Sequence, residues 1–339
     1  MKEPNAMSFH VKYKPEDFMP ANEEEKQSQV IMRESVGFWQ DGFRRLRKNK
    51  VAMVSLFVII VVMIFSFIVP AFYPYDYKTQ IKGSENLHPM QYSEKEIERM
   101  DAGEKVFPHV LGTDKMGRDY AIRVMMGSRI SLMVGLIATA IILVIGSIYG
   151  SVAAFFGGWV DIVLQRITEI VACLPFLPMA MILTSIIGNS MTESARIALI
   201  MVILGILSWP SLARLVRAQV LAEREQEFVT AANAMGVKRS VIVFKHIIPN
   251  VISVIIVSAT LDFAYCMLTE STLSFLGFGV KLPRPTWGNM LNGCVSSVVI
   301  QNYWWRWVFP AIMLGICVIC INMVGDGLRD AIDPKSNER

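Results

Sequence analysis

Two carboxylates, Asp262 and Glu270, stand in an otherwise apolar run from Val251 to about Thr272, and in this 339-residue chain they are the first groups that could do chemistry. An acid in the middle of a membrane span faces the bundle interior or a watery cavity, because placing its charge in lipid costs at least ~2.5 kcal/mol. Asp262, near the middle of the run, therefore has two readings: a packed, hydrogen-bonded acid between helices, or a group along a translocation path. Glu270, near the end of the run, shares them. Cys317 and Cys320 form a CxxC, but Ile316, Val318, Ile319 and Ile321 surround them, so they read as small apolar residues in a helix rather than a redox or zinc pair. His88 and His109 lack ligand spacing to any third candidate. The chain has no GxxxxGK[ST] phosphate loop, no GxSxG, no HExxH, and no paired carboxylates beside a nucleophile. Catalysis by this chain is not expected, and the residues call for no cofactor and no metal.

The elements that must position these acids are membrane spans. Hydrophobic residues make up 53% of the chain and charged residues 18%, against about 25% charged in a soluble domain. Mean hydropathy is +0.43. A net charge of +4, with no basic run interleaved with aromatics, sets nucleic acid aside as a partner.

Residues 1–35 form a polar segment without the pattern of a signal peptide. Over 36–73, Phe38, Trp39, Phe43 and Leu46 alternate with Arg44, Arg45, Arg47, Lys48 and Lys50. That pattern fits an interfacial helix or a charged flank for the first span, Val51 to about Phe72. The segment 74–126 is long and polar, with a Gly-punctuated turn near its end and charged residues expected at the membrane interface. Residues 127–328 hold five more spans. In the second, Ser131 to about Phe156, Gly146 and Gly150 imply a tightly packed helical neighbour. The third runs to about Ile187 and should kink at Pro175 and Pro178. The fourth is Ala195 to about Val216, and the fifth is the run with the two acids. A rigid re-entrant turn with an interfacial anchor at Trp287 precedes the sixth, Trp307 to about Val324. A tail, 329–339, follows. Lys and Arg cluster around 44–50, 214–245 and 329–339 and are missing from 188–194, so both termini and the loop 218–249 are expected in the cytoplasm.

That loop has its own pattern. Phe228, Ala231, Ala232 and Met235 fall at i, i+3, i+4 and i+7, one apolar helical face suited to docking a partner. Glu227 precedes them, Gly236 should end the helix, and a second short helix, Val237 to Ile248, should stop at Pro249. With no phosphate loop in the chain, energy would arrive through a cytoplasmic partner docked here. A secondary carrier built on Asp262 is the weaker alternative.

These residues resemble a known family. Thr230-Ala231-Ala232, then Gly236, then His246-Ile247-Ile248-Pro249 resembles the EAA loop of binding-protein-dependent ABC importer permeases. Thr230 and His246 depart from the usual Glu and Ile. Glu227-Phe228 and Pro249-Asn250 look like the peptide and nickel branch. LGTDxxGRD at 111–119, GSRISLMVG at 127–135, FFGGWVD at 155–161, LSFLGFG and PTWGNML within 273–291, and GDGLRDAIDP at 325–334 match independently. The whole is most similar to the C-type permease of dipeptide and oligopeptide importers. The resemblance implies an all-α polytopic membrane protein with six transmembrane helices, a type I ABC importer permease with a long extracytoplasmic segment after the first helix. It further implies import of di- or oligopeptides, with nickel or glutathione-like solutes as alternatives. The implied partners are a second homologous permease subunit, one or two cytoplasmic ATPases, an extracytoplasmic substrate-binding protein and membrane lipid.

Overall fold

The computed structural model describes residues 38–188 and 191–332; the expected polar segment 1–35 and the residues from 333 onward lie outside that range. Contacts divide the chain into Met1–Asp41 and Gly42–Arg339, and the described part of the first unit, Phe38 to Asp41, is an opening turn of helix. Helix α1, Phe38–Lys48, is amphipathic, and within the second unit its Leu46 is buried against Ala52 and Ala331.

Asn49 ends α1 and caps α2, Lys50–Phe67, by accepting the Ala52 N–H at 3.2 Å. Most of α2 is apolar on every side, with Val54, Phe57 and Val61 exposed, as expected of a helix whose outer faces meet lipid. After a short helix α3, Glu94–Asp101, the chain enters α4, Tyr120–Phe156, which at 37 residues is longer than a bilayer requires. The expected start at Ser131 is therefore corrected to Tyr120. The amphipathic stretch ahead of the span belongs to the same uninterrupted helix, capped by Asp119, whose Oδ1 accepts the Ile122 N–H at 3.0 Å.

The third apolar stretch is bent far more sharply than a proline kink. Helices α5, Gly158–Cys173, and α6, Phe176–Gly188, meet at 78° across Leu174 and Pro175. Pro175 keeps Leu174 out of the helical region, so the helix stops there instead of curving. Helix α7 is Glu193–Arg224, α8 is Glu227–Ala234 and α9 is Ile248–Phe275. Two short helices, α10 (Trp287–Asn292) and α11 (Ser297–Asn302), lead to α12, Trp305–Ile332. Among the described residues, five helices are long and apolar enough to cross a membrane, and the bent pair makes six if it counts as one span.

The Gly146 and Gly150 face has its neighbour. It packs on α7, where Leu212 lies 3.0 Å from the point a Gly146 Cβ would occupy and the Ala213 carbonyl fills the equivalent point at Gly150. This is the most extensive helix pairing among the described residues, and its interior continues through Ile142, Ile200, Leu204 and Val216.

The segment between α2 and α4 is an ordered cap. The charged residues near its end are buried inside the cap: Asp114, Arg118, Asp119 and Arg123, with Thr113 beside them. They satisfy one another. Asp114 accepts from the Met116 and Arg118 backbone N–H groups and from Arg118 Nε at 2.7 Å. Gly117, at φ +67°, passes so close to the Ile81 backbone that a side chain has no room. Trp287 and Trp305 are fully buried too, so the interfacial anchor expected at Trp287 is instead a core residue. Trp305 donates from Nε1 to the Thr113 carbonyl at 3.2 Å, and Arg306 donates to Asn86, so the start of α12 holds the cap.

His109 is the buried clamp of this cap. Its Nδ1 lies 2.8 Å from Asp119 and its Nε2 3.0 Å from Glu96, while Tyr75 stacks on its ring at 4.7 Å. Glu96 also closes the capping box of α3 with Ser93, so one imidazole joins the starts of α3 and α4. Burial pushes the His109 pKa down, but the Asp119 hydrogen bond and charge, followed by Glu96, outweigh it and the net shift is upward. An imidazolium donates to both carboxylates; a neutral ring donates to one. The clamp's contribution is thus complete below the unfolded value of about 6.5 and is lost as pH rises through the raised folded value. Amide hydrogen exchange across Glu94–Asp101, corrected for intrinsic rates, should accelerate as pH rises through that raised value. His109→Gln should exchange fast at every pH, and an unaltered pH profile in that variant would remove the clamp.

Candidate functional site

The loop between α7 and α9 is built from a rigid base outward. At the end of α7, Arg217 forms a two-point ion pair with Asp161 of α5 at 2.7 and 2.6 Å, a geometry that fixes direction as well as distance. Arg224 donates to the Ala154 carbonyl at 2.9 Å. Both partners belong to the 155–161 FFGGWVD turn or abut it. Sequence reading took Arg217 only as a positive flank. The signal available was an acid, Asp161, in a turn facing the same side of the membrane as Arg217.

Helix α8 starts after Gln226, with Glu227 in its first turn, where a carboxylate opposes the helix dipole. It ends in a Schellman motif: the Gly236 N–H donates to the Asn233 carbonyl and the Val237 N–H to the Ala232 carbonyl, with Gly236 at φ +74°. Gly236 is thus where the sequence placed a helix end.

The face is partly different from the one expected. Phe228 is 39% exposed and Met235 76%, and Ala231 is exposed beside them, but Ala232 is 5% exposed and joins the core with the fully buried Val229. Ala232 therefore belongs to the inward face. The i, i+4 spacing from Phe228 put it at the margin of the stripe, and the chain's own core, through Ile242 and Ile247, claims that margin. Thr230 is exposed and bonds back to the Gln226 carbonyl at 3.4 Å.

The second half of the loop is not a separate helix that stops at Pro249. Residues Ile242–Ile247 form π-helical turns that run directly into α9, in whose first turn Pro249 sits. A first-turn proline lacks an N–H that few partners would claim, and the wider π turns ahead of it relieve the clash its ring makes with the preceding turn. His246 is half-buried within these turns. From Ile242 to Phe275 the helical path is continuous.

The two acids of α9 have opposite surroundings. Glu270 is fully buried and accepts hydrogen bonds from Ser131 Oγ of α4 at 2.8 Å, from Ser274 Oγ at 2.7 Å and from Ser271 Oγ at 3.4 Å. Ser274 Oγ in turn accepts the Val280 N–H, and Asn289 holds the Val280 and Arg284 carbonyls, so Glu270 anchors the 275–285 turn. Asp262 is half-buried and lines a cavity of about 410 Å3 between α5, α6, α7 and α9.

The family model described as binding-protein-dependent transport system inner membrane component matches residues 142–338. A second model, the N-terminal TM domain of oligopeptide transport permease C, matches 37–89. The dipeptide transport system permease protein DppC of Bacillus subtilis is 35% identical over 95% of this chain and 93% of its own length. The oligopeptide transport system permease protein OppC of Haemophilus influenzae is 36% identical over 89% and 90%.

The chain belongs to the binding-protein-dependent transport permeases.

A solved structure titled inward facing conformations of the MetNI methionine ABC transporter aligns with TM-score 0.47 and 20% identity, over 62% of this chain and 96% of that one. As a permease of this family the chain is a multi-pass membrane protein, and the family works with ATPase and substrate-binding partners.

The two faces of α8 give a direct test. Val229→Asp puts an unpaired charge into the core of the permease, a loss of roughly 3 kcal/mol or more. It should lower the Tm of the purified protein by several degrees. Phe228→Asp, on the open face, should leave Tm within about a degree. Equal losses would mean that α8 is not oriented in this way.

Proposed function

We propose that this permease is the C-type subunit of an ABC importer that brings di- or oligopeptides into the cytoplasm, with both termini and the α8 loop on the cytoplasmic side. The observation that carries the substrate class is the similarity along nearly the whole chain to permeases named for dipeptide and oligopeptide transport. Its partners in this reading are a second, homologous permease subunit, one or two cytoplasmic ATPases and an extracytoplasmic binding protein. The chain itself supplies the pore wall and needs no cofactor.

The open face of α8, Phe228, Ala231 and Met235 with Glu227 at its start, is the part an ATPase would seat. Burying a Phe side chain fully is worth about 1.5–3 kcal/mol, enough to anchor a small helix in a groove. The buried face, Val229 and Ala232, lies on the turns that run without a break into α9. A push on Phe228 therefore loads α9 through the core contacts and through the backbone together, while Arg217 and Arg224 hold the base of the loop. Gly236 keeps α8 at its angle, and His246 and Pro249 lie in the segment that passes the motion on. The cap and the 275–292 turn, at the other end of the bundle, are the surfaces for the binding protein.

The complete complex, reconstituted in proteoliposomes with its binding protein, should take up labelled dipeptides in the presence of ATP. Phe228→Asp should reduce that uptake at least tenfold while the subunits still co-purify. Uptake of nickel but not of peptide would replace the substrate class, and full uptake by Phe228→Asp would remove the coupling role.

A further inference from the structure

The cavity beside Asp262 contains unmet polar groups of opposite character. Its wall includes Arg214, Ser208 and Pro210 from α7 and Asp262 and Tyr265 from α9. Neither Asp262 nor Arg214 has a hydrogen bond or ion pair with another described residue, and the Ser208 hydroxyl is buried without a partner. Pro210 withholds the N–H that the residue 206 carbonyl would receive in an unbroken helix, which adds an acceptor at the same level. Three other charges on α7 and α9 have partners among the described residues. Glu270 takes three hydroxyls, Arg217 takes Asp161, and Arg196 donates to the Gly279 carbonyl at 3.0 Å.

Asp262 is half-buried and Arg214 exposed, each well inside the length of its helix. At 1.5 Å per residue, Asp262 is about 21 Å from the start of α9 and Arg214 about 15 Å from the end of α7. A carboxylate and a guanidinium that line one cavity without pairing are complementary to a ligand that carries both charges. At about 410 Å3 the cavity falls within the roughly 300–1,000 Å3 range of small-ligand sites.

We propose that Asp262 and Arg214 form a way-station for a zwitterion: Asp262 receives the α-ammonium of a short peptide and Arg214 its α-carboxylate, with the Ser208 hydroxyl serving the backbone between them. The proposal rests on the peptide-importer reading and adds to it a site inside the permease. Such a site selects for free termini rather than for side chains, which suits a path that must pass peptides of many sequences.

The test uses the full complex with its binding protein in proteoliposomes, with radiolabelled trialanine as the probe. Asp262→Asn and Arg214→Gln should each cut initial uptake at least tenfold. Asp262→Glu should stay within threefold of the unaltered complex, and the double variant should be no worse than the worse single, since both residues hold one ligand. Subunit composition and Tm should be unchanged. Uptake within twofold of normal in both single variants would overturn the proposal. So would loss of the second permease from the purified variants, which would make the two charges a subunit-pairing device. If the unaltered complex hydrolyses ATP yet imports no peptide, the importer reading fails and takes this site with it. Normal peptide import with insensitive variants removes the site alone.

Discussion

The close approach of α4 and α7 sets the position of everything that faces a partner. Lipid gives helices no hydrophobic reason to associate, so contact depends on backbones coming near enough for dispersion and hydrogen bonding to act. Gly150 lets α4 rest on the Ala213 carbonyl, Gly146 admits Leu212, and Gly205 of α7 admits Ile141 in return. With α7 held at that distance, its last turns pass directly over the start of α5. Arg217 then meets Asp161 with two hydrogen bonds and Arg224 reaches the Ala154 carbonyl. A wider separation would leave Asp161 and Arg217 as two partly buried, unpaired charges, so the ion pair and the glycine contacts reinforce each other.

The cap obeys the same rule of mutual satisfaction at the other end of the bundle. Asp119 caps α4 with one carboxylate oxygen and holds His109 with the other, and Asp114 serves two backbone N–H groups and Arg118 together. A network closed in this way can sit in a buried place and hold a long polar segment in one arrangement, because each alternative would strand a charge. Trp305 and Arg306 extend it to the far end of the sequence, joining residues near 113 and 86 to the start of α12.

What could be read from the sequence follows from how local the cause was. Five of the spans, the Gly146 and Gly150 contact face and the helix end at Gly236 depend on runs and residue types a few positions apart, and all are present. The cap's buried charges were not legible. Asp114, Arg118 and Asp119 look like interface residues until Glu96, His109 and Arg123 are brought to them from other elements. The inward turn of Ala232 was hidden for a similar reason, since the face a short helix buries is decided by the core that receives it. Pro249 misled through a true local rule: proline ends helices except in a first turn, and whether a given turn is the first depends on the π segment before it. The sequence marked Asp262 and Glu270 together, and only their neighbours separate them.

That separation is the most informative contrast in the chain. Two acids, eight residues apart on one helix, face one physical problem, the cost of a charge away from water. Glu270 meets it with three serine hydroxyls, and every atom that could recognise a ligand is spent on packing. Asp262 is left without a partner among the described residues, in a cavity shared with an equally unpartnered arginine. A helix able to surround one acid with serines was not compelled to leave the other bare. Packing accounts for Glu270, and the proposed solute in the cavity would account for Asp262. On a subunit whose family moves solutes through the membrane, a solute with complementary charge satisfies that requirement without adding a residue to either helix.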